Sequence, residues 1–292
     1  MKNNKNQKII FVSVLFFCIL AGGWGLWALF HKPIDVNQLG LREKIIARRG
    51  YWGKYPESTM LGFRKAGEIG AWLSADVLLT KDLQWVLLHD SNLERLYCVK
   101  KSVIDLTYDE LKNLAYCGPF KQSNQAFSIP LLSDYLKEFG NETIEIEIKD
   151  IVNISSETLE AKLRELADMC EKYLGNIYFT SFNYEYLASL KKINPRVKTG
   201  MVIFSENNMR EDFGFDQKNI DLFTVREAIV SDSIFVELKN TGKEIWLYDM
   251  GQNPSSERIK KLAGYDVDGY VVSFPVEFSR KLLKFKNNLN VH

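Results

Sequence analysis

Hydrophobic and polar positions follow two regimes along the chain. Residues 9–30, IIFVSVLFFCILAGGWGLWALF, carry no charge at all. From Leu41 onwards, short apolar runs alternate with amphipathic stretches. The runs KIIA, AWLSADVLLT, WVLLHD, TIEIEIK, NIYFTSF, TGMVIF, DLFTV, EIWLYDM and GYVVSF are rich in β-branched and aromatic residues and read as strands. Between most of them lie helical patterns. STMLGFRKAGEIG opens on Ser-Thr and closes at Gly70, the signature of a capped helix. SSETLEAKLRELADMCEKYLG and SSERIKKLAGY have the same form. Alternating strands and helices predict parallel strands with helices outside. No Pro/Gly/Ser-rich break interrupts residues 41–292, so they are expected to form one domain. Its size matches a (β/α)8 TIM barrel, typically about 250 residues.

Nine candidate strands are one too many for that barrel. Only KDLQ separates ADVLLT from WVLLHD. Four residues cannot hold a crossover helix, so these two runs must pair as an antiparallel hairpin. The prediction is eight parallel strands plus one return strand, which brings His89 and Asp90 back to the rim that Asp76 passes.

The N-terminal run has the length of the roughly 20 residues that cross a bilayer. Lys2, Lys5 and Lys8 precede it, so residues 1–8 are expected in the cytoplasm. Trp24 and Trp27 stand near its outer end, where an aromatic belt would lie. A cleaved signal peptide is the alternative, but no clean small-x-small site follows the run. The expectation is a single-pass membrane anchor over 9–30, a linker over 31–40 and a barrel outside the cytoplasm.

The net charge of +1 leaves no basic excess for nucleic acid. Of four cysteines, Cys98, Cys117 and Cys170 fall in the exported part. No CxxC pair supports a zinc ribbon or redox dithiol. A Cys98–Cys117 disulfide and unpaired buried cysteines both stay open.

Active sites of such barrels sit at the C-terminal strand ends. The first strand ends in Arg48, Arg49 and Gly50. The second carries Ser74 and Asp76 on one face, and TIEIEIK carries Glu145, Glu147 and Lys149 on one face. Outer faces of barrel strands are covered by helices, and buried ionised groups must be paired or used. These residues therefore predict an inward-facing ionic site. Asp76 and Glu147 suit a hard divalent cation. Arg49 and Lys149 suit phosphate. With His89, the set is a phosphate-ester constellation.

These motifs resemble the glycerophosphodiester phosphodiesterase family. The family opens with His-Arg-Gly and Pro-Glu-Asn-Thr; here the chain reads ARRGYWGKYPEST. The family's Glu-x-Asp, Thr-Lys-Asp and His-Asp block corresponds to GAWLSADVLLTKDLQWVLLHDSNLERL. IEIK, TSFN, EIWLYD and YDVDGYVVSFP match the later motifs, so the similarity runs from about residue 44 to 275. The resemblance implies a TIM barrel that splits glycerol phosphodiesters. It implies two histidines as base and acid, a divalent cation such as Mg or Ca held by Glu, Asp and Glu, and arginine and lysine on the phosphate. Glu57 and Trp246 join Arg49 and Lys149 as candidate substrate-binding residues; the alternative for Glu57 is a loop carboxylate paired with Arg49, and for Trp246 and its neighbour Tyr248 plain packing.

The departures fall on the chemistry. Arg48 stands where the family has its first histidine, and arginine stays protonated at working pH. Of three histidines, His31 adjoins the anchor and His292 ends the chain, leaving His89 for the domain. Ser74 replaces the first metal carboxylate and weakens cation binding. Arg48 and His89 are then the candidate catalytic positions, and Asp76 and Glu147 the remaining metal ligands. Three readings follow: a phosphodiester- or glycerol phosphate-binding domain with degraded hydrolysis, an active metal-dependent hydrolase, or a scaffold for a protein partner.

Overall fold

The computed structural model describes residues 34–120, 127–207, 218–248 and 255–289. The cytoplasmic segment 1–8 and the anchor expected over 9–30 lie outside the described residues. Among the described residues, no helix is long and apolar enough to cross a membrane.

All nine expected strands form one sheet: β1 (Lys44–Arg48), β2 (Trp72–Leu79), β3 (Trp85–Leu87), β4 (Ile144–Ile148), β5 (Ile177–Ser181), β6 (Lys198–Ile203), β7 (Leu222–Arg226), β8 (Glu244–Tyr248) and β9 (Gly269–Val272). The order is β1-β9-β8-β7-β6-β5-β4-β2-β3, and parallel pairing of β1 with β2 closes the ring. Eight strands are thus parallel around a barrel, while β3 pairs antiparallel with β2 through Val77 opposite Leu87. That is the hairpin the short KDLQ connection demands.

Several helices begin where the sequence offers a capping side chain. Thr59 accepts from the Gly62 amide to start α1 (Met60–Gly67). Ser155 accepts from Thr158 N ahead of the helix Ser156–Cys170, and Ser255 accepts from Arg258 N ahead of Ser256–Ala263. Each cap satisfies amides that the first helical turn leaves without partners.

The lower barrel is filled by side chains rather than hollow. Ile46, Tyr178, Leu222 and Trp246 pack there, with Trp72 against them. The Tyr178 and Trp246 rings lie 4.8 Å apart, and Trp72 meets Trp246 edge-on at 6.1 Å. Gly269 makes room for this layer: a Cβ there would stand 3.0 Å from Ile46 Cδ1 and 3.1 Å from Trp246 Cδ1. A second apolar cluster lies under the hairpin, where Leu88, Leu93, Leu96, Val103 and Leu111 are buried together. A Cys98–Cys117 disulfide staples that segment, and Cys170 is buried and unpaired. The sequence left these two states open; the fold brings the Cys98 and Cys117 Cα atoms to 6.0 Å, within disulfide reach.

Candidate active site

Register places the polar strand residues in two rows. Arg48 is level with Ser74, and Ser74 with Glu145. One step up, Asp76 is level with Glu147 and Glu147 with Thr180. Residues two apart on a strand share a face, so both rows point into the barrel mouth. All of them but Thr180 line a cavity of about 480 Å³ with Arg49, Trp52, His89, Lys149, Phe182, Phe204 and Tyr248.

Simple alternation would send Arg48 and Arg49 to opposite faces. The backbone breaks it: Arg49 has φ 52° and Gly50 has φ 78°. The turn swings Arg49 back to the cavity. Only glycine fits at position 50, because a Cβ there would lie 2.7 Å from the Gly62 carbonyl carbon. Trp52 then closes the rim, with the Arg49 guanidinium 4.4 Å and the Arg48 guanidinium 5.6 Å from its ring centre. Arg48 also stands 5.7 Å from the Tyr248 ring.

The ionic groups are tied together closely. Lys149 Nζ lies 3.1 Å from Asp76 Oδ1 and also donates to Glu147 Oε1. Arg49 Nη1 donates to Glu57 Oε1 at 3.0 Å, and Arg49 Nε faces Asp76 Oδ2 at 3.4 Å without a hydrogen bond. Burial alone would raise Asp76. Lys149 first, then His89, Arg49 and Arg48, outweigh it and hold the carboxyl far below its ordinary range. Burial alone would lower Lys149, but Asp76 and Glu147 keep its ammonium above the ordinary lysine value. Arg49 is lowered by its own burial, with Asp76 opposing. Glu145 goes the other way: burial, then the charge of Glu147, pushes it up to about 7. Thr180 Oγ1 donates to Glu145 Oε1 at 3.1 Å.

His89 reaches the cavity from the return strand. The Leu88 amide donates to the Asp76 carbonyl at 3.1 Å, which sets His89 beside the carboxylate row. His89 Nδ1 is 2.5 Å from Asp90 Oδ1, leaving Nε2 as the ring nitrogen for a ligand. Asp90 is held low by that hydrogen bond, against burial and together with Arg95. Arg95 bonds Asp90 Oδ2 at 2.5 Å and clasps Glu57 through both oxygens at 2.7 and 2.8 Å.

Two expectations need correction. Glu57 does not line the cavity; it is buried behind Arg49, where it pairs with Arg49 and Arg95. Trp246 is fully buried in the lower barrel, too deep to touch a ligand at the mouth. It lies two residues below Tyr248 on the same strand face, and Tyr248 does reach the cavity. Sequence reasoning missed Arg95 and Trp52. Trp52 stands three residues after Arg49 and Arg95 five residues after Asp90, and this nearness in sequence was the available signal.

A divalent cation does not fit this donor set well. Among the described residues, no three His, Cys, Asp or Glu side chains are grouped to hold a metal ion. Ser74, level with Arg48 and Glu145, offers only a neutral hydroxyl. Asp76 Oδ1 and Glu147 Oε1 already share the Lys149 ammonium. Asp76 Oδ2 is buried, accepts no hydrogen bond and faces Arg49.

A sequence model of the Glycerophosphoryl diester phosphodiesterase family matches residues 49–277. The chain belongs to this family. The uncharacterized protein YqiK of Bacillus subtilis (strain 168) is 29% identical over 252 residues, covering 82% of this chain and 98% of YqiK. A glycerophosphodiester phosphodiesterase of Bacillus altitudinis is 32% identical over 163 residues, covering 54% of this chain and 66% of that enzyme. Among solved structures, a putative glycerophosphoryl diester phosphodiesterase from Silicibacter pomeroyi DSS-3 superposes with a TM-score of 0.73 at 18% identity, covering 86% of this chain and 98% of that one. A phosphodiesterase from Oleispira antarctica, solved with its product sn-glycerol-3-phosphate, gives 0.66 at 19% identity, covering 85% and 96%. At such identities the superpositions establish the barrel fold alone. Within that barrel, the departures at Arg48 and Ser74 sit side by side on paired strands.

Proposed function

We propose that this chain is a membrane-tethered member of its family whose barrel, outside the cytoplasm, binds a phosphodiester or glycerol phosphate group with hydrolysis degraded or lost. The carrying observation is the Arg48–Ser74 pair. A permanent cation and a neutral hydroxyl are level with each other, at the positions where the motif has a base and a metal ligand. Arginine cannot accept a proton from water or alcohol, so Arg48 binds where a histidine would react. Arg48, Arg49 and Lys149 converge on the cavity and suit phosphate oxygens by charge and hydrogen-bond geometry. His89, oriented by Asp90, supplies one further donor or acceptor. Trp52 and Tyr248 present aromatic faces beside the arginines, suited to the carbon skeleton of a glycerol. The glycerol phosphate complex of the Oleispira relative supports this ligand class.

Losing a positioned base typically costs about 10²- to 10⁴-fold in rate, and the shortage of metal ligands removes a second aid to the reaction. A surviving hydrolase is the second reading. Glu145 favours it, because a cavity carboxyl held at about 7 is suited to proton transfer near neutrality. The anchor and its orientation rest on the charge-free run after Lys2, Lys5 and Lys8. The Cys98–Cys117 disulfide supports an oxidising compartment. The full chain, incubated with glycerophosphodiesters and an aryl phosphodiester in magnesium, calcium or EDTA, tests the reading. Turnover that disappears in His89→Ala overturns it in favour of the hydrolase. Thermal stabilisation by sn-glycerol 3-phosphate without turnover supports it.

A further inference from the structure

We infer that the phosphate site of this chain works without a divalent cation, because the Lys149 ammonium and the paired Arg48 and Arg49 guanidinium groups supply the positive charge and Ser74 withholds the third metal ligand. The inference rests on the phosphate-binding reading above and specifies how that site is built.

Three observations carry it. First, Lys149 Nζ bridges Asp76 and Glu147, the two carboxylates a cation would need. A bound divalent ion is the largest local charge in its site, and here it would press against an ammonium that touches the same oxygens. Second, the row below is Arg48, Ser74, Glu145. A guanidinium occupies one flank of position 74, and Glu145 on the other flank is held by Thr180 at 3.1 Å. Hard cations take several anionic or carbonyl oxygens, and this row supplies one hydroxyl and the Glu145 carboxyl beside a fixed positive charge. Third, the arginines are built in rather than draped on the surface. Arg49 is buried, anchored to Glu57 at 3.0 Å, and set by a left-handed backbone turn. Its Nε is buried and donates no hydrogen bond, facing Asp76 beside the cavity. Three fixed cations line the same cavity as the carboxyl groups of Asp76, Glu145, Glu147 and Asp150, so positive charge for an anion is in place before any metal arrives.

The test is calorimetric titration of the full-length chain with sn-glycerol 3-phosphate, in EDTA and then in millimolar magnesium or calcium. The expected affinities agree within about twofold, a difference well under 1 kcal/mol. Lys149→Met is expected to weaken binding by about tenfold or more in either buffer, as for loss of a charged hydrogen bond. Ser74→Glu returns a carboxylate to the row. It is expected to weaken binding in EDTA and to make magnesium or calcium restore it. Because the wild-type comparison needs no variant, a Lys149→Met chain that fails to fold leaves the test intact. Wild-type binding seen only with a divalent cation overturns the inference and leaves the phosphate-binding reading standing. A Ser74→Glu chain indifferent to both cations also overturns it, because position 74 would then not decide metal use. Absence of binding in every buffer overturns the phosphate-binding reading, and the inference with it.

Discussion

Glu57→Gln separates a structural carboxylate from a ligand-binding one. The Glu57 side chain is 1% exposed and receives three hydrogen bonds from two arginines, at 3.0 Å from Arg49 and at 2.7 and 2.8 Å from Arg95. The amide keeps the volume but loses the charge, and its NH2 group turns a donor towards donors. Breaking a buried ion pair by removing one partner costs about 3–5 kcal/mol. Arg49 is the buried partner and retains only Asp76 at 3.4 Å. Arg95 is partly exposed and keeps Asp90, so its share is small. The expected loss is therefore about 3 kcal/mol, near the lower end. For a domain of this size that is a fall in Tm of roughly 6–12 °C. Thermal and urea melts of the full chain measure it. An Arg95→Met variant and the double variant complete a cycle whose coupling should be at least about 0.5 kcal/mol, as for residues in one network. A loss below about 1 kcal/mol with no coupling would refute the view that Glu57 holds Arg49 in place.

The remaining predictions concern pH, the core and the staple. Glu145 titrates at about 7 in the folded chain against 4.5 for an ordinary glutamate. Its folded value is raised, so its contribution is intact below pH 4.5 and is lost as pH rises through 7. At about 1.4 kcal/mol per pH unit, the full effect is roughly 3 kcal/mol. Glu145→Gln should match wild type at pH 4.5 and exceed it in melts at pH 8, and parallel profiles would contradict the assignment. Trp246→Ala should cost about 3–5 kcal/mol by opening a cavity in the packed lower barrel. Trp52→Ala should instead weaken sn-glycerol 3-phosphate binding in calorimetry while shifting Tm much less. Replacing Cys98 and Cys117 together with serine should lower stability by about 3 kcal/mol, the entropy of closing the loop between positions 19 apart. Thiol-reactive labelling under denaturation should detect the extra free thiols that reduction releases.

What the sequence by itself determined was the fold and the membership of the face. Strand alternation has a period of two, so Ser74 and Asp76, or Glu145, Glu147 and Lys149, were bound to share a side. The four-residue KDLQ link left only a hairpin, and the nine-strand sheet has β3 returning as that link requires. What only the tertiary structure decided was depth, and which charges meet. Depth separated Trp246 from Tyr248 on one strand, because the barrel interior is filled in layers and periodicity carries no height. Left-handed φ at Arg49 turned a second arginine inward, a backbone state that adjacent residue types do not announce. Glu57 and Arg95 are 38 positions apart in the chain and meet only because β3 brings its following segment back over the first loop. Pairing between charges depends on distances of a few ångströms. Chain closure around the barrel sets those distances, and so assigns Glu57 to holding Arg49 and Lys149 to bridging Asp76 and Glu147.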